Sequence, residues 1–332
     1  MSVDPVDQLR RERDYLRGQV RELAGDAGLV GDSPALRRLT KQLRAAADSV
    51  EPALLRGEPG VGAEALARCI HDQSARANGP FVAVNCRAVP EGMLASELFG
   101  HVRGAFPEAL GDRVGQLELA DGGTLFLSDL CDLHPALQDK LAQALGDGAV
   151  VREGGSRTRR VELRALFGTT REPSVALAAG RLSPALYYAA SALTIEIPPL
   201  RARVDDLLPL ARQRLEHLAR RHGLSSPTLT ADDEARLLAY SWPGNLRELE
   251  LVLERALLLG VSGGFALQLT TPTTPADESA ARLEPSREEV LGALATSEWV
   301  VARAARKLGL SRQAMYRRIE RYALRRPPQR SP

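Results

Sequence analysis

Three glycines, Gly57, Gly60 and Gly62, punctuate the run Gly57-Glu58-Pro59-Gly60-Val61-Gly62-Ala63-Glu64. An apolar, strand-like stretch (Ala53–Leu55) precedes it and a helix-like stretch follows. Glycines so placed let backbone N–H groups converge on phosphate oxygens at a helix N-terminus. The chemistry this points to is nucleotide binding. A working loop of that kind also needs a lysine after its last glycine, to neutralise the β and γ oxygens. Ala63 occupies that position. The turn alone is a weak signal, and an ordinary structural turn fits the same residues.

A second group with chemical character lies near the C-terminus. After a Gly309 turn, Ser311 is placed to cap a helix that carries Arg312, Gln313, Tyr316, Arg317, Arg318 and Arg321 on its polar sides. Arginine reads guanine edges or grips phosphates, and glutamine reads adenine, so the pattern predicts a helix–turn–helix docking in the major groove of double-stranded DNA. Val290, Leu291, Leu294, Val301, Ala304, Ala305, Leu308, Leu310, Met315, Ile319 and Leu324 supply the apolar side of its small bundle. A solvated charged helix explains the charge but not the turn, cap and register together. A module this small implies a dimer.

No metal centre is expected, because Cys69, Cys86 and Cys131 are unclustered and lack ligand spacing. They read as reduced, mostly buried thiols. The chain of 332 residues has 44% hydrophobic and 26% charged residues and a formal net charge of +2, values of an ordinary globular protein with two or three domains. Its bases are almost all arginine, with lysine only at Lys41, Lys140 and Lys307. No apolar run reaches bilayer-spanning length and no signal-peptide core is present, so no membrane partner and a cytoplasmic location are expected.

The elements that must position these groups follow from periodicity. Val6, Leu9, Leu16, Val20 and Leu23 are spaced as a short heptad pattern, giving residues 1–27 as a helical linker or short coiled coil. Residues 28–203 alternate strand-like runs (Ala53–Leu55, Phe81–Asn85, Thr124–Leu127, Leu163–Gly168) with helices such as Pro135–Leu145. That alternation predicts an α/β subdomain on a parallel sheet. Residues 204–261 read as helices only, a second subdomain. Residues 262–285 are rich in Thr, Pro, Gly and Ala and read as a flexible linker. The DNA-reading helices span 286–325, and 326–332 is expected to be a disordered tail.

The motifs "SPALRRL", "GEPGVGAEALARCIH", "FVAVNC", "ASELFGH", "RGAF", "LADGGTLFL", "IPPLRAR" and "WPGNLRELE" occur in one order at one spacing. Over about Leu29 to Leu259 the chain therefore resembles the AAA+ domain of bacterial enhancer-binding proteins, the sigma-54-dependent transcription activators. The segment "AARKLGLSRQAMYRRIERY" resembles their Fis-like helix–turn–helix. The resemblance implies an AAA+ α/β core, a helical lid and usually a ring of six or seven subunits, so self-assembly as a dimer or an AAA+ ring is expected. It also implies roles: Asn85 as the switch asparagine, Arg247 as the nucleotide-sensing arginine of the lid, and Thr169-Thr170 as a half-retained sensor.

The departures from that family fall on the catalytic groups. Besides Ala63, Pro59 replaces a small hydroxyl residue, and the family's metal-binding Asp-Glu pair is Ser128-Asp129. A serine is a poor ligand for a hard cation. The two positions of the arginine fingers are Ser183 and Ala189, with Arg181 nearby at the wrong spacing. The sigma-54 contact loop, Gly-Ala-Phe-Thr-Gly-Ala in the family, is Gly104-Ala105-Phe106-Pro107-Glu108-Ala109 here. Proline fixes φ and glutamate removes a glycine's freedom in a loop that has to move.

The expectation is a DNA-binding transcription regulator whose AAA+ domain is a pseudo-ATPase, kept for oligomerisation or regulation and requiring no cofactor. Weak ATP or ADP binding through the loop amides and Arg247 is compatible with it. Its partners would be DNA and copies of itself, with an active paralogue or the sigma-54 form of RNA polymerase as further candidates. The alternative is an ATP-dependent activator that remodels the polymerase closed complex with non-standard catalytic residues.

Overall fold

The computed structural model describes residues 28–259, 267, 287–297, 299, 301, 304, 307, 315, 319, 322 and 324. The chain divides into two compact units, 1–269 and 270–332. In the first unit the chain runs through α1 (Pro34–Asp48), β1 (Ala53–Arg56), α2 (Ala63–Asp72), β2 (Phe81–Asn85), α3 (Glu91–Phe99), β3 (Gly100–His101) and β4 (Arg113–Val114). It continues through α4 (Gln116–Leu119), β5 (Thr124–Ser128), α5 (Pro135–Asp147), β6 (Ala149–Val151), β7 (Thr158–Arg160), β8 (Arg164–Thr169), α6 (Pro173–Ala178), α7 (Pro184–Ala190) and β9 (Leu193–Glu196). Among the described residues the unit ends with α8 (Val204–His222), α9 (Ala231–Ala239) and α10 (Asn245–Leu259).

Five strands form one parallel sheet in the order β2-β5-β8-β1-β9. The expected parallel α/β core is present, and the four strand-like runs are its β1, β2, β5 and β8. β8 is buried at every position, as a central strand covered on both faces should be. The period of two divides the apolar residues between the faces. Leu54, Leu125, Leu127 and Phe167 join one core with Leu98, Phe99 and Leu141. Ala53, Leu55, Phe126 and Leu166 join the other with α1 and α2. Parallel strands in register Leu55↔Gly168 and Asn85↔Ser128 bring the carboxyl ends of β1, β2, β5 and β8 to one edge.

α1 starts where Ser33 caps it, its hydroxyl accepting from Leu36 N at 3.1 Å, with Pro34 next. Leu36, Leu39, Leu43 and Ala47 form its buried stripe. Arg164, 3% exposed, reaches from β8 to the other end of that helix, donating to Ala46 O at 2.6 Å and Glu51 O at 3.0 Å. Burial pushes its guanidinium below the usual arginine range. The edge strand β9 and the hairpins β3–β4 and β6–β7 were not among the sequence expectations. Hairpin strands of two or three residues are too short to show alternation.

The lid packs Leu207, Leu210, Leu215, Leu218, Leu237, Trp242, Leu249 and Leu253 into one apolar cluster. α9 opens with a reciprocal cap between Thr230 and Asp233. Leu267, inside the segment read as linker, is 2% exposed and belongs to this cluster. In the second unit α11 (Arg287–Thr296) buries Val290 and Leu294, and Ala304, Met315 and Leu324 share that core. Leu291 does not: it is 38% exposed, because the next helical position lies about 100° round from Val290. Ala305, Leu308 and Leu310, with Ser311, Arg312, Gln313, Tyr316, Arg317 and Arg318, lie outside the described residues. So do the heptad positions of 1–27.

Candidate functional site

The glycine-rich run leaves β1 at Gly57, whose N–H donates to Thr169 O at 3.2 Å. Gly60 (φ +81°) and Gly62 (φ +87°) take left-handed backbone that side chains disfavour. Val61 turns into the core at 3% exposure. Gly62 precedes the first turn of α2, so the N–H groups of Ala63 and its successors form the helix N-terminus. This is a phosphate-binding loop in shape. Ala63, where a cation would reach forward, instead packs its methyl against the α1–α2 core.

The loop is also clasped by the lid. Gly60 O accepts from Leu246 N at 3.0 Å and Arg247 N at 3.3 Å, so it caps the start of α10. Asn245, fully buried at φ +51°, donates through Nδ2 to Pro59 O at 3.0 Å and Glu58 Oε2 at 3.3 Å. Its Oδ1 accepts from Leu200 N at 2.8 Å. Arg201 grips Glu58 with both terminal nitrogens, Nη1 at 2.7 Å from Oε2 and Nη2 on Oε1. Trp242, at φ +52°, is held by donation to Leu237 O at 3.0 Å and an edge contact with Tyr240. Such backbone costs about 1–3 kcal/mol and persists where surrounding contacts fix it.

Two predictions arise from this clasp. A Cβ on Gly60 would lie 2.1 Å from Gly244 O and 3.3 Å from Arg247 Cβ. Gly60→Ala is therefore expected to lose roughly 1–3 kcal/mol or more, with the lid amides gaining the hydrogen exchange. An unchanged urea midpoint would contradict the clasp. The Arg201 bond is also the largest cause holding the Glu58 carboxyl below the usual carboxylate range. A depressed folded pKa means that its contribution is present above the unfolded pKa and lost as pH falls through the folded one. Stability at the loop–lid joint should fall at acid pH, and Glu58→Gln should flatten that part of the profile.

Two cations close to the loop, Arg56 and Arg201, are already engaged. Arg56, the residue before Gly57, lies 2.6 Å from Glu196 and also pairs with Glu172. Arg201 is held by Glu58. Arg247 is exposed, with its backbone on Gly60 and no ion pair among the described residues.

At the same edge, β5 ends in half-buried Ser128, whose carbonyl accepts from Cys86 N at 3.2 Å. Asp129 adopts φ +56° and opens a short 3₁₀ turn. Burial first, and the Asp129 charge second, push the Cys86 thiol up to about 12. Asn85 turns its side chain back on its own segment, Oδ1 accepting from Arg87 N at 2.9 Å and Ala88 N at 3.0 Å. Thr169 is buried and bonds Arg171 N at 3.1 Å, whereas Thr170 is exposed. Ser183 caps α7, and its N–H donates to Gln138 Oε1 at 2.6 Å.

Sections 29–196, 201–271 and 286–322 of the chain match, respectively, the sigma-54 interaction domain, the AAA+ ATPase lid domain and the bacterial regulatory protein, Fis family. The chain belongs to the sigma-54 interaction domain family. Among similar proteins is the Nif-specific regulatory protein of Azotobacter vinelandii, 40% identical over 332 residues, covering 96% of this chain and 63% of that one. Another is the transcriptional regulatory protein ZraR of Klebsiella oxytoca, 38% identical, covering 90% of this chain and 70% of that one. The crystal structure of NtrX from Brucella abortus in complex with ATP is similar at 29% identity and a TM-score of 0.69, covering 96% and 73% of the two chains. The present chain thus spans about 63% of the length of the Nif-specific regulator. Its fold is the AAA+ α/β core with a helical lid and a C-terminal helix–turn–helix.

The structure brings the loop Gly57–Glu64, Ser128, Asp129, Asn85 and Thr169 of the sigma-54 interaction domain to one sheet edge, with Arg247 of the lid against the loop. The loop Gly104–Ala109, expected from the sequence to contact sigma-54, lies on the β3–β4 hairpin. It is closed on itself, Gly104 N donating to Ala109 O and Ala109 N to Phe106 O, both at 2.9 Å. Phe106 meets the edge of His101 at 4.9 Å and is 37% exposed, while Leu110 beside it is 84% exposed. Sequence reading missed three residues that organise these parts: Arg201, Asn245 and Gln138. Asn245 and Arg201 sat inside quoted motifs without an assigned role. Gln138, fully buried in α5, also donates to Leu133 O at 2.7 Å and Arg181 O at 2.8 Å, and only its burial reveals it.

Proposed function

We propose that this chain regulates transcription from DNA sites bound by its Fis-type domain, while its AAA+ domain does not hydrolyse ATP and serves oligomerisation or regulation. The reading rests chiefly on Ala63, an apolar side chain at the lysine position of an otherwise well-formed phosphate loop, with Arg56 and Arg201 both neutralised by carboxylates. The donor set fits a magnesium nucleotide poorly. Ser128 brings a hydroxyl where a hard cation favours a carboxylate. Ser183 and Ala189 bring no charge where a neighbour's γ-phosphate would be met. Losing one charged phosphate partner weakens binding about ten- to a hundredfold. The loop amides and Arg247 still support weak nucleotide binding, and NtrX was crystallised with ATP. No cofactor is needed for the DNA-binding role, and a cytoplasmic location suits it.

The self-bonded loop with Pro107 and Glu108 supports the same view, since remodelling requires that loop to rise and fall. Partners proposed on this basis are double-stranded DNA, further copies of the chain and an active paralogue or sigma-54 polymerase. The test is phosphate release from ATP and magnesium by the pure full-length chain, with and without enhancer DNA. Release no greater than in buffer is expected. Sustained turnover would instead favour an ATP-dependent activator using other residues.

A further inference from the structure

We infer that a cleft at the carboxyl ends of β2, β5 and β8 binds a small organic anion with at least two negative charges. Its cavity of about 660 Å³ is bounded by the segments that follow β2, β5 and β8 and by the turn before α7. That volume suits a small metabolite and far exceeds the roughly 30 Å³ share of one water molecule.

The cleft's polar side chains are Arg87, Arg171, Arg181, His134 and Asp132. The lining thus holds three arginines against one acid, Asp132, whose carboxylate is paired with Arg171 at 2.7 Å. Among the described residues Arg87 and Arg181 have no ion pair. A guanidinium with no ion pair among the described residues offers a planar fork that matches the bidentate geometry of carboxylate or phosphate oxygens. The N-terminus of the thirteen-residue α5, capped by His134, opens on the same cleft and adds positive potential.

The backbones that carry the two arginines are fixed. Asn85 Oδ1 holds Arg87 N, and Gln138 Nε2 holds Arg181 O while Arg181 N donates to Ala176 O at 2.9 Å. A backbone held in this way beneath an exposed side chain lowers the ordering cost of binding. The floor is apolar, from Val89, Leu94 and Leu133 above the buried thiols of Cys86 and Cys131. A cationic rim over an apolar floor fits a carbon skeleton that bears two acids better than a bare oxyanion. The ligand would bridge the Asn85 turn and the segment leading to Ser183, giving the domain an input separate from its phosphate loop. This inference does not depend on whether that loop supports hydrolysis.

Calorimetry on the nucleotide-free, full-length chain tests it with 3-phosphoglycerate, citrate, inorganic phosphate and glycerol as probes. Saturable binding of at least one organic anion is expected, weakened about tenfold or more by Arg87→Ala and by Arg181→Ala. Arg236→Ala, on the exposed side of α9, should leave it unchanged, and glycerol should give no saturable heat. Both cleft arginines are exposed, so circular dichroism should show the variants folded. The inference is overturned if neither organic probe saturates in the millimolar range. Full affinity in a chain carrying both Arg87→Ala and Arg181→Ala would overturn it too, by placing the anion elsewhere. Equal affinity for inorganic phosphate would remove the organic ligand.

Discussion

Restoring Ala63→Lys, Ser128→Asp, Asp129→Glu, Ser183→Arg and Ala189→Arg together should raise ATP turnover by a factor on the order of 10³ or more, from a starting rate indistinguishable from buffer. An arginine finger alone is worth on the order of 10³–10⁵ in rate, and the metal carboxylate and lysine act on the same transition state. The scaffold for these side chains is in place. Gly60 and Gly62 hold the left-handed turns of the loop, and position 63 opens α2. Ser128 ends β5, and Ser183 caps α7 where Gln138 fixes the chain. Groups that work as a unit are strongly non-additive, so Ala63→Lys alone should improve nucleotide binding with little gain in turnover. Phosphate release with the five-fold and single variants, at fixed magnesium, distinguishes these outcomes. A native chain already as fast as the five-fold variant would refute the pseudo-ATPase reading.

The second large effect lies in the C-terminal unit. Removing the side chains of Arg312, Arg317 and Arg318 by Arg→Ala substitution should weaken DNA binding by on the order of 10³-fold. A base-reading arginine contributes about 1–3 kcal/mol of discrimination, and a phosphate-contacting one lowers the salt slope by roughly one per contact. Affinity measured at several salt concentrations separates the two roles, since only the second flattens the slope. The bundle's core rests on Val290, Leu294, Ala304 and Met315, so the triple variant should keep its helical spectrum. Unchanged affinity in a folded triple variant would remove DNA reading from this helix and leave the unit as a protein contact.

Much of this was legible in the sequence because it is local. Alternating apolar runs announced β1, β2, β5 and β8. Glycine spacing announced the loop, and the identities of Ala63, Ser128, Ser183 and Ala189 announced which charges were missing. A side chain that is absent is absent whatever the fold, so these departures from the family's residues needed no coordinates.

The tertiary structure decided what the remaining charges do. Arg56 lies between Glu172 and Glu196, more than a hundred positions away in the chain, only because β1 pairs with β9 and runs beside β8. Arg201 meets Glu58, and Asn245 reaches Pro59, because the lid closes on the loop. Gln138 gained its role from the packing of α5 near the Arg181 turn; Arg87 and Arg171 line one cleft because parallel β2 and β8 end at the same edge, and Arg181 joins them because Gln138 holds its turn there. Periodicity encodes which face of an element is apolar. It does not encode which distant polar groups share a buried or half-buried space, since that depends on strand order and on chain segments meeting across long loops.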